Sequence, residues 1–127
     1  MFKDSYAFSG FSVNDLDVAR TFYAETLELD VTESDGMLTL HLVTGGSVLI
    51  YAKGPDQVPA EFTVLNFPVD DIDAAADALT SKGINLELYE YAHQDDKGIA
   101  RGKAANMGPD IAWFKDPSGN ILSILHN

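Results

Sequence analysis

The sequence predicts an α+β fold in which a βαβββ module occurs twice. Two similar segments, FSVNDLDVA beginning at Phe11 and FPVDDIDAA beginning at Phe67, identify the repeat. Three runs rich in apolar and β-branched residues follow each segment, as strands prefer. A chain of 127 residues is long enough for one domain with a substantial core and too short for two ordinary ones. We therefore expect a single domain, 1–127, made of two modules.

The first module, 1–53, begins with a strand that ends at Val13. Asp15 follows in the position of a helix N-cap. Further strands are predicted at 29–32, 37–43 and 47–53. The helix has one apolar face, which is expected to cover one side of the sheet; this face comprises Leu16, Ala19, Phe22 and Tyr23.

A linker with two prolines, 54–60, separates this module from the second, 61–127. The second module repeats the pattern: Asp71 is the expected N-cap, and Gly83 is the residue expected to end the helix. Strands are predicted at 85–91, 111–115 and 121–125. The DPSGN segment joins the last two, because Pro and Gly there favour a tight turn.

Composition excludes several classes of function. Eight basic residues against twenty acidic ones give a formal net charge of −12, which is unsuited to binding nucleic acid. This charge either favours a cationic ligand or serves only to keep the protein in solution. The sequence has no long apolar run, so no membrane segment is expected. It has no cysteine, which excludes disulfides and thiol nucleophiles and suits a cytoplasmic protein.

The histidines do not form a recognisable metal-binding pattern. His41, His93 and His126 lie on separate predicted elements without the paired spacing of metal motifs. His41 alternates with Thr39 and Val43 along its strand, so these three share a face. The sequence does not fix the strand register, and His41 is either a pocket residue or a hydrogen-bonded structural histidine.

The two modules, the segment VNDLDVARTFY and the hairpin FKDPSGNIL together resemble the vicinal oxygen chelate superfamily. This group includes glyoxalase I, extradiol dioxygenases, fosfomycin-resistance enzymes and bleomycin-resistance proteins. The resemblance covers nearly the whole chain. It implies a curled mixed-sheet cup with a binding site on its concave face, and commonly a homodimer. It does not imply one activity, because the fold supports many.

In metal-using members, ligands stand five residues before the helix-leading valine and four residues after the hairpin glycine of each module. These positions hold Phe8 and Val64 before the helices, and Ile50 and Ser123 after the glycines. The apolar side chains cannot coordinate a cation, and a neutral serine is a poor ligand. We therefore expect no metal site and no cofactor, and Ser123 in place of a ligand glutamate.

The same resemblance and the alternation of strand residues predict which side chains line the cup. Asn66, a polar residue at a strand centre, needs either a ligand or an internal hydrogen-bond partner. Trp113 matches a cavity position of phosphonate-binding members, and otherwise is a core or dimer-interface aromatic. Tyr89 and Tyr91 lie on the same face of their predicted strand. They either line the cup or face water at a sheet edge. The predicted ligand-binding residues are Phe8, His41, Ile50, Val64, Asn66, Tyr89, Tyr91, Trp113 and Ser123.

The loop 92–110 is long and aperiodic, as functional loops often are. With Lys115 just beyond it, this stretch carries four of the eight positive charges. The loop is expected either to cover the cup and meet an anionic group of a ligand, or to be a solvated loop or dimer arm.

Three functions remain open at this stage. The leading hypothesis is metal-independent binding of an apolar or cationic small molecule, such as a sequestered drug or toxin, by a cytoplasmic homodimer. The second is an enzyme of lyase or isomerase type with a non-standard active site. It would either hold a metal through unrecognised ligands or use His41, Tyr89 or Asp residues as a general acid–base without metal. The third is a domain that acts only through protein contacts.

Overall fold

A computed structural model describes all residues, 1–127, and shows an α+β protein with two four-stranded mixed sheets. The chain forms two compact units, Met1–Pro59 and Ala60–Asn127. Each unit contains one sheet and one principal helical segment, which confirms the repeated βαβββ module. No helix in the structure is both long and apolar enough to span a membrane.

The first unit has the strand order β1-β4-β3-β2, with β1 parallel to β4 and the other pairs antiparallel. Asp15 caps its helix as predicted, since its carboxylate accepts a hydrogen bond of 3.1 Å from the amide of Val18. The helix continues for six residues as a π-helix. The elements are β1 (Ser9–Val13), α1 (Leu16–Arg20), the π-helix (Thr21–Thr26), β2 (Asp30–Ser34), β3 (Met37–His41) and β4 (Ser47–Ala52).

One face of this sheet forms the core of the first unit. Leu38 pairs with Ile50 and Leu40 pairs with Val48, and all four side chains are buried. Tyr23, from the π-helix, is also fully buried and contacts the ring of Phe11 on the same face of β1. The residues between these positions, including Thr39 and His41, occupy the opposite face, which we call the uncovered face of the first sheet.

The second unit repeats the arrangement with the strand order β5-β8-β7-β6. Asp71 caps its helix through a 3.0 Å hydrogen bond from the amide of Ala74. Ile72, Ala76 and Leu79 form the buried face of that helix. The elements are β5 (Thr63–Pro68), α2 (Ile72–Ser81), β6 (Ala100–Arg101), β7 (Asp110–Lys115) and β8 (Ile121–His126).

The predicted strand at 85–91 is wrong. The strand that pairs with the outer edge of β7 is instead β6. Its residues Ala100 and Arg101 lie opposite Ile111 and Asp110. The earlier segment makes one backbone bond to that edge, from the Glu87 amide to the Trp113 carbonyl at 2.8 Å. It then turns into a short 3-10 helix, Glu90–Ala92. A two-residue strand inside the long predicted loop therefore completes the sheet.

The DPSGN turn between β7 and β8 is held by buried polar groups. The carboxylate of Asp116 accepts hydrogen bonds from the amides of Ser118 and Asn120, both at 2.9 Å. The side chain of Asn120 donates to the other oxygen of Asp116 and accepts from the amide of Ala60 at 3.0 Å. Gly119 has a φ of 87°, which suits glycine at this position of the turn. The tight turn predicted from the DPSGN segment is thus present. Through the bond between Asn120 and Ala60, it also holds the first residue of the second unit.

Candidate functional site

The positions that hold metal ligands in related proteins carry side chains that are poor cation donors in this chain. Phe8 immediately precedes β1 and is 65% exposed, while Val64 lies at a β-bulge between Thr63 and Leu65. Ser123 is fully buried in β8. No group of three or more His, Asp or Glu side chains is placed to bind a cation. The donors present therefore do not fit the metal that the fold family suggests.

The expectation that Ile50 lines the cup is wrong, because its side chain lies on the core side of the first sheet. Ile50 is 0% exposed and pairs with Phe11 and Leu38 on the core side. The prediction counted four residues from Gly46, whereas the turn glycine with a positive φ, like Gly119 in the second module, is Gly45. A shift of one residue reverses the face of a strand residue. Leu49 therefore takes the corresponding position, and it too lacks a donor atom.

His41 lies on the uncovered face of the first sheet, which answers the question of register left open by the sequence. Its Nε2 is 2.8 Å from the hydroxyl of Thr32, across the β2–β3 pair. Asp30 is its direct cross-strand neighbour. His41 is thus an exposed, hydrogen-bonded histidine on a polar edge of that face.

Asn66, an exposed residue on the edge strand β5, and Ser123, a buried residue on the interior strand β8, form a polar pair in the second sheet. They are cross-strand neighbours on β5 and β8, and the Ser123 hydroxyl donates a 2.5 Å hydrogen bond to the amide oxygen of Asn66. This bond explains a serine between Leu122 and Ile124, because its buried hydroxyl has a partner. Both residues lie on the face opposite to α2, the face that also carries Trp113.

Three aromatic side chains stand beside this polar pair. Trp113 is the cross-strand neighbour of Ser123 on β7. The Tyr89 ring meets the Trp113 ring edge-to-face, with centroids 5.6 Å apart and an interplanar angle of 75°. Tyr91 stacks on Tyr89 at 5.6 Å and 21° and is 75% exposed. We call these three residues the aromatic cluster, and with Asn66 and Ser123 it brings together five of the nine predicted ligand-binding residues.

The hydroxyl of Tyr89 is an unusual group in this cluster. It is buried and has no hydrogen-bond partner, although most buried polar side-chain atoms have one. Burial raises the pKa of this hydroxyl above its usual range, and the nearby Glu87 and Tyr91 act in the same direction. The group therefore stays protonated at neutral pH and is available as a hydrogen-bond donor.

A cleft of about 520 Å³ lies next to the aromatic cluster. Tyr89 forms part of its wall, together with Glu90 and Asp96, two acidic residues that form no ion pair. The cleft is lined by Leu88, Tyr89, Glu90, His93, Gln94, Asp95 and Asp96. Its unpaired negative charge favours a cationic group.

The positive charges of this region are mostly neutralised within the protein. Arg101 forms ion pairs with Asp73 and Asp95 at 2.8 and 2.9 Å, and Lys97 pairs with Asp73 at 3.1 Å. Lys115 is 3.4 Å from Glu87. These pairs anchor the segment before β6 to α2, so the region offers little free positive charge to an anionic ligand.

Gln94 is a positioning residue that the sequence analysis did not identify. Its amide oxygen accepts from the Tyr89 amide at 2.7 Å, and its amide nitrogen donates to the carbonyls of Glu87 and Gly98 at 2.8 and 2.6 Å. These three bonds fix the irregular segment that carries both tyrosines. A glutamine in a polar loop has no sequence signature for such a role, because the bonds depend on the path of the backbone.

Solved structures share this fold at low sequence identity. An integron cassette protein from the Halifax Harbour sewage-outfall metagenome has a TM-score of 0.69 and 19% identity, covering 95% of this chain and 98% of that one. A glyoxalase family protein from Enterococcus faecalis has a TM-score of 0.67 and 18% identity, covering 98% and 99%. TnmS3, an antibiotic binding protein from a Streptomyces species, has a TM-score of 0.64 and 21% identity, covering 94% of each chain. These identities show a common fold only.

No curated protein matches the sequence significantly. A family model matches residues 6–124, almost the entire chain, in agreement with the resemblance carried by the repeated module and the hairpin motif. This protein therefore belongs to the glyoxalase/bleomycin resistance protein/dioxygenase superfamily.

Proposed function

We propose that this protein binds and sequesters small aromatic molecules, preferably cationic ones, without a metal ion. The observation that carries the proposal is the aromatic cluster of Tyr89, Tyr91 and Trp113 beside the Asn66–Ser123 pair. Aromatic side chains offer large, rigid contact surfaces for planar ligands. The fold relationship to an antibiotic binding protein agrees with this assignment.

The preference for cations follows from the charge around the cluster. Glu90 and Asp96 line the adjacent cleft without ion-pair partners, whereas nearby Arg101 and Lys97 are paired with carboxylates. The whole chain carries a formal charge of −12. A ligand with a planar ring and an amine would stack on the aromatic cluster and place its charge near the cleft.

Metal independence is part of the proposal because the donor set is unsuitable. The positions corresponding to metal ligands hold Phe8, Leu49, Val64 and Ser123. We also propose a cytoplasmic homodimer, since the chain lacks cysteine and proteins of this family commonly dimerise.

Calorimetric titration with bleomycin and with doxorubicin tests the binding function. Both drugs combine aromatic rings with cationic groups, and we expect one or both to bind with micromolar affinity. Trp113 is the only tryptophan, so binding at the aromatic cluster should also change the intrinsic fluorescence. We expect Trp113→Leu to weaken binding by about tenfold, the effect of losing a central aromatic contact.

The control variant is Tyr6→Leu, because Tyr6 is 98% exposed and outside the cluster. Its affinity should equal that of the wild type. Binding that is unaffected by Trp113→Leu would place the ligand elsewhere, and the absence of binding to both drugs would contradict sequestration of this ligand class. Recovery of chemically altered drug would instead support the enzymatic alternative.

A further inference from the structure

We propose that the Tyr89 hydroxyl is the hydrogen-bond donor for a carbonyl oxygen of the bound ligand, so that the ligand class is a planar aromatic molecule bearing a ketone-type acceptor. This inference rests on the proposed binding function of the aromatic cluster. It adds a specificity-determining residue and the chemical group that this residue recognises.

The first argument is the unsatisfied hydroxyl itself. The oxygen of Tyr89 is buried and has no partner, whereas the buried hydroxyl of Ser123 donates its hydrogen to Asn66. A buried donor without an acceptor destabilises the folded protein. A ligand acceptor that reaches this hydroxyl removes that cost in the complex, which favours binding of molecules that carry one.

The second argument is the position of the hydroxyl among the rings. Tyr89 meets Trp113 at 75° and is stacked on Tyr91, so its ring forms one wall of an aromatic corner. A planar ligand that takes the place of the Tyr91 ring in this corner would contact the Tyr89 ring, and an acceptor on that ligand would receive the hydrogen bond. Since burial and the neighbouring Glu87 raise the pKa of this group, it donates a hydrogen bond and does not accept one as a phenolate.

The third argument concerns access. Tyr91 is 75% exposed and belongs to the 3-10 turn Glu90–Ala92, which is followed by His93 in a left-handed conformation at a φ of 51°. This side chain can move without disrupting the sheet, because it is outside the strands. Tyr89 itself is held at its backbone by Gln94. The ligand therefore displaces the Tyr91 ring and meets a donor whose backbone is fixed.

The test compares two probes that differ in one carbonyl group, 1-tetralone and tetralin. We expect the wild-type protein to bind 1-tetralone more tightly, as measured by NMR titration of backbone amides and the Trp113 indole. Tyr89→Phe should weaken binding of 1-tetralone about five- to tenfold, the usual effect of one hydrogen bond. Binding of tetralin should change by less than about twofold, because the ring contacts are retained.

The same variant gives an independent readout without any ligand. Removing an unsatisfied buried hydroxyl should raise the melting temperature of the free protein by about 2–4 °C. Tyr6→Phe, which removes a fully solvated hydroxyl, should change neither stability nor binding. If Tyr89→Phe is more stable than the wild type but binds 1-tetralone more weakly, the Tyr89 hydroxyl has no partner in the free protein and donates to the ligand in the complex.

Four outcomes would overturn the inference. These are a lower melting temperature for Tyr89→Phe, an equal loss of affinity for both probes, equal wild-type affinity for both probes, and no binding of either probe up to its solubility limit. Failure of the proposed function is recognised separately, because bleomycin and doxorubicin would then not bind at all. If those drugs bind through Trp113 and the tetralone difference is absent, only the role of Tyr89 is wrong.

Discussion

Substitution of Ser123 by glutamate tests whether the centre of the second sheet is a buried position that has lost a ligand carboxylate. Ser123 is 0% exposed and donates its hydroxyl hydrogen to Asn66 at 2.5 Å. Trp113 is its neighbour on the adjacent strand. A glutamate at this position must therefore place three additional heavy atoms and a charge between Asn66 and the aromatic cluster.

The expected loss of stability has three parts. Loss of the hydrogen bond to Asn66 costs about 1 kcal/mol, and overpacking costs about 1–3 kcal/mol. Burial raises the pKa of the new carboxyl group, and a rise of about two adds about 2.7 kcal/mol at pH 7. The free energy of unfolding should therefore fall by about 5 kcal/mol, which is comparable with the total stability of a typical small domain.

Urea denaturation at pH 7 and at pH 4.5 separates the charge from the packing. The carboxyl pKa is higher in the folded state than in the unfolded state, so the folded protein binds the proton more tightly. Its stability relative to the wild type should consequently fall as pH rises from the unfolded value, about 4.3, to the raised folded value. At pH 4.5 we expect Ser123→Glu to regain about 2 kcal/mol of the difference.

Ser34→Glu is the matched control, because Ser34 is an exposed serine at the end of strand β2. Its stability should stay within about 0.5 kcal/mol of the wild type at both pH values. A Ser123→Glu protein as stable as this control would show that Ser123 faces solvent. In that case the buried position beside Trp113 and the derived orientation of β8 would both be wrong.

Four further predictions concern the turn, the ion pairs, metal and assembly. Asn120 is 1% exposed and donates to Asp116, so Asn120→Ala should lower the free energy of unfolding by about 2–4 kcal/mol, as measured by urea denaturation. The control is Asn85→Ala at an exposed position, which should change this free energy by less than about 0.5 kcal/mol. The pKa of Asp73 is lowered to about 2 from 3.8, first by its hydrogen bond from Arg101, so its stabilising effect is present above pH 3.8 and is lost as pH falls toward about 2. Asp73→Asn should make the free energy of unfolding less dependent on pH between about 2 and 3.8. An unchanged pH dependence would contradict the ion pair between Asp73 and Arg101. Untagged protein incubated with nickel, zinc, manganese or iron should hold no stoichiometric metal by elemental analysis, whereas one equivalent lost on His41→Ala would overturn metal independence. Light scattering should give twice the chain mass of 13.8 kDa, and a mass near 13.8 kDa would exclude the dimer.

The helices and most of the strands could be predicted because both modules carry the same local sequence patterns. Asp15 and Asp71 both cap their helices through side-chain bonds to the third helical amide. The DPSGN turn forms the predicted hairpin, because its conformation depends on residues close in sequence. The hydrogen-bond partner expected for Asn66 is Ser123, but the member of the pair that is buried is Ser123 and not Asn66.

The errors arose where the local pattern does not determine the structure. Ile50 was assigned to the wrong face because two adjacent glycines precede β4, and only the backbone shows that Gly45 is the turn glycine. The segment containing Tyr89 alternates like a strand, but its conformation is decided by long-range bonds to Gln94 and by competition with β6 for the edge of β7. Neither the bonds to Gln94 nor the pairing of β6 with β7 produces a periodic pattern in the sequence.

This contrast indicates where the specific function of the chain is encoded. The elements shared by both modules build two similar sheets, and the corresponding metal-ligand positions are apolar or neutral in each. The segment with Tyr89, Tyr91 and Gln94 has no equivalent in the first module, where β2 and β3 form a regular antiparallel pair. Polar bonds to one side chain hold this irregular segment, and it presents the unsatisfied hydroxyl of Tyr89. Because a conformation that costs stability persists only when the surrounding structure fixes it, this segment is where substitutions should alter ligand choice while leaving the fold intact.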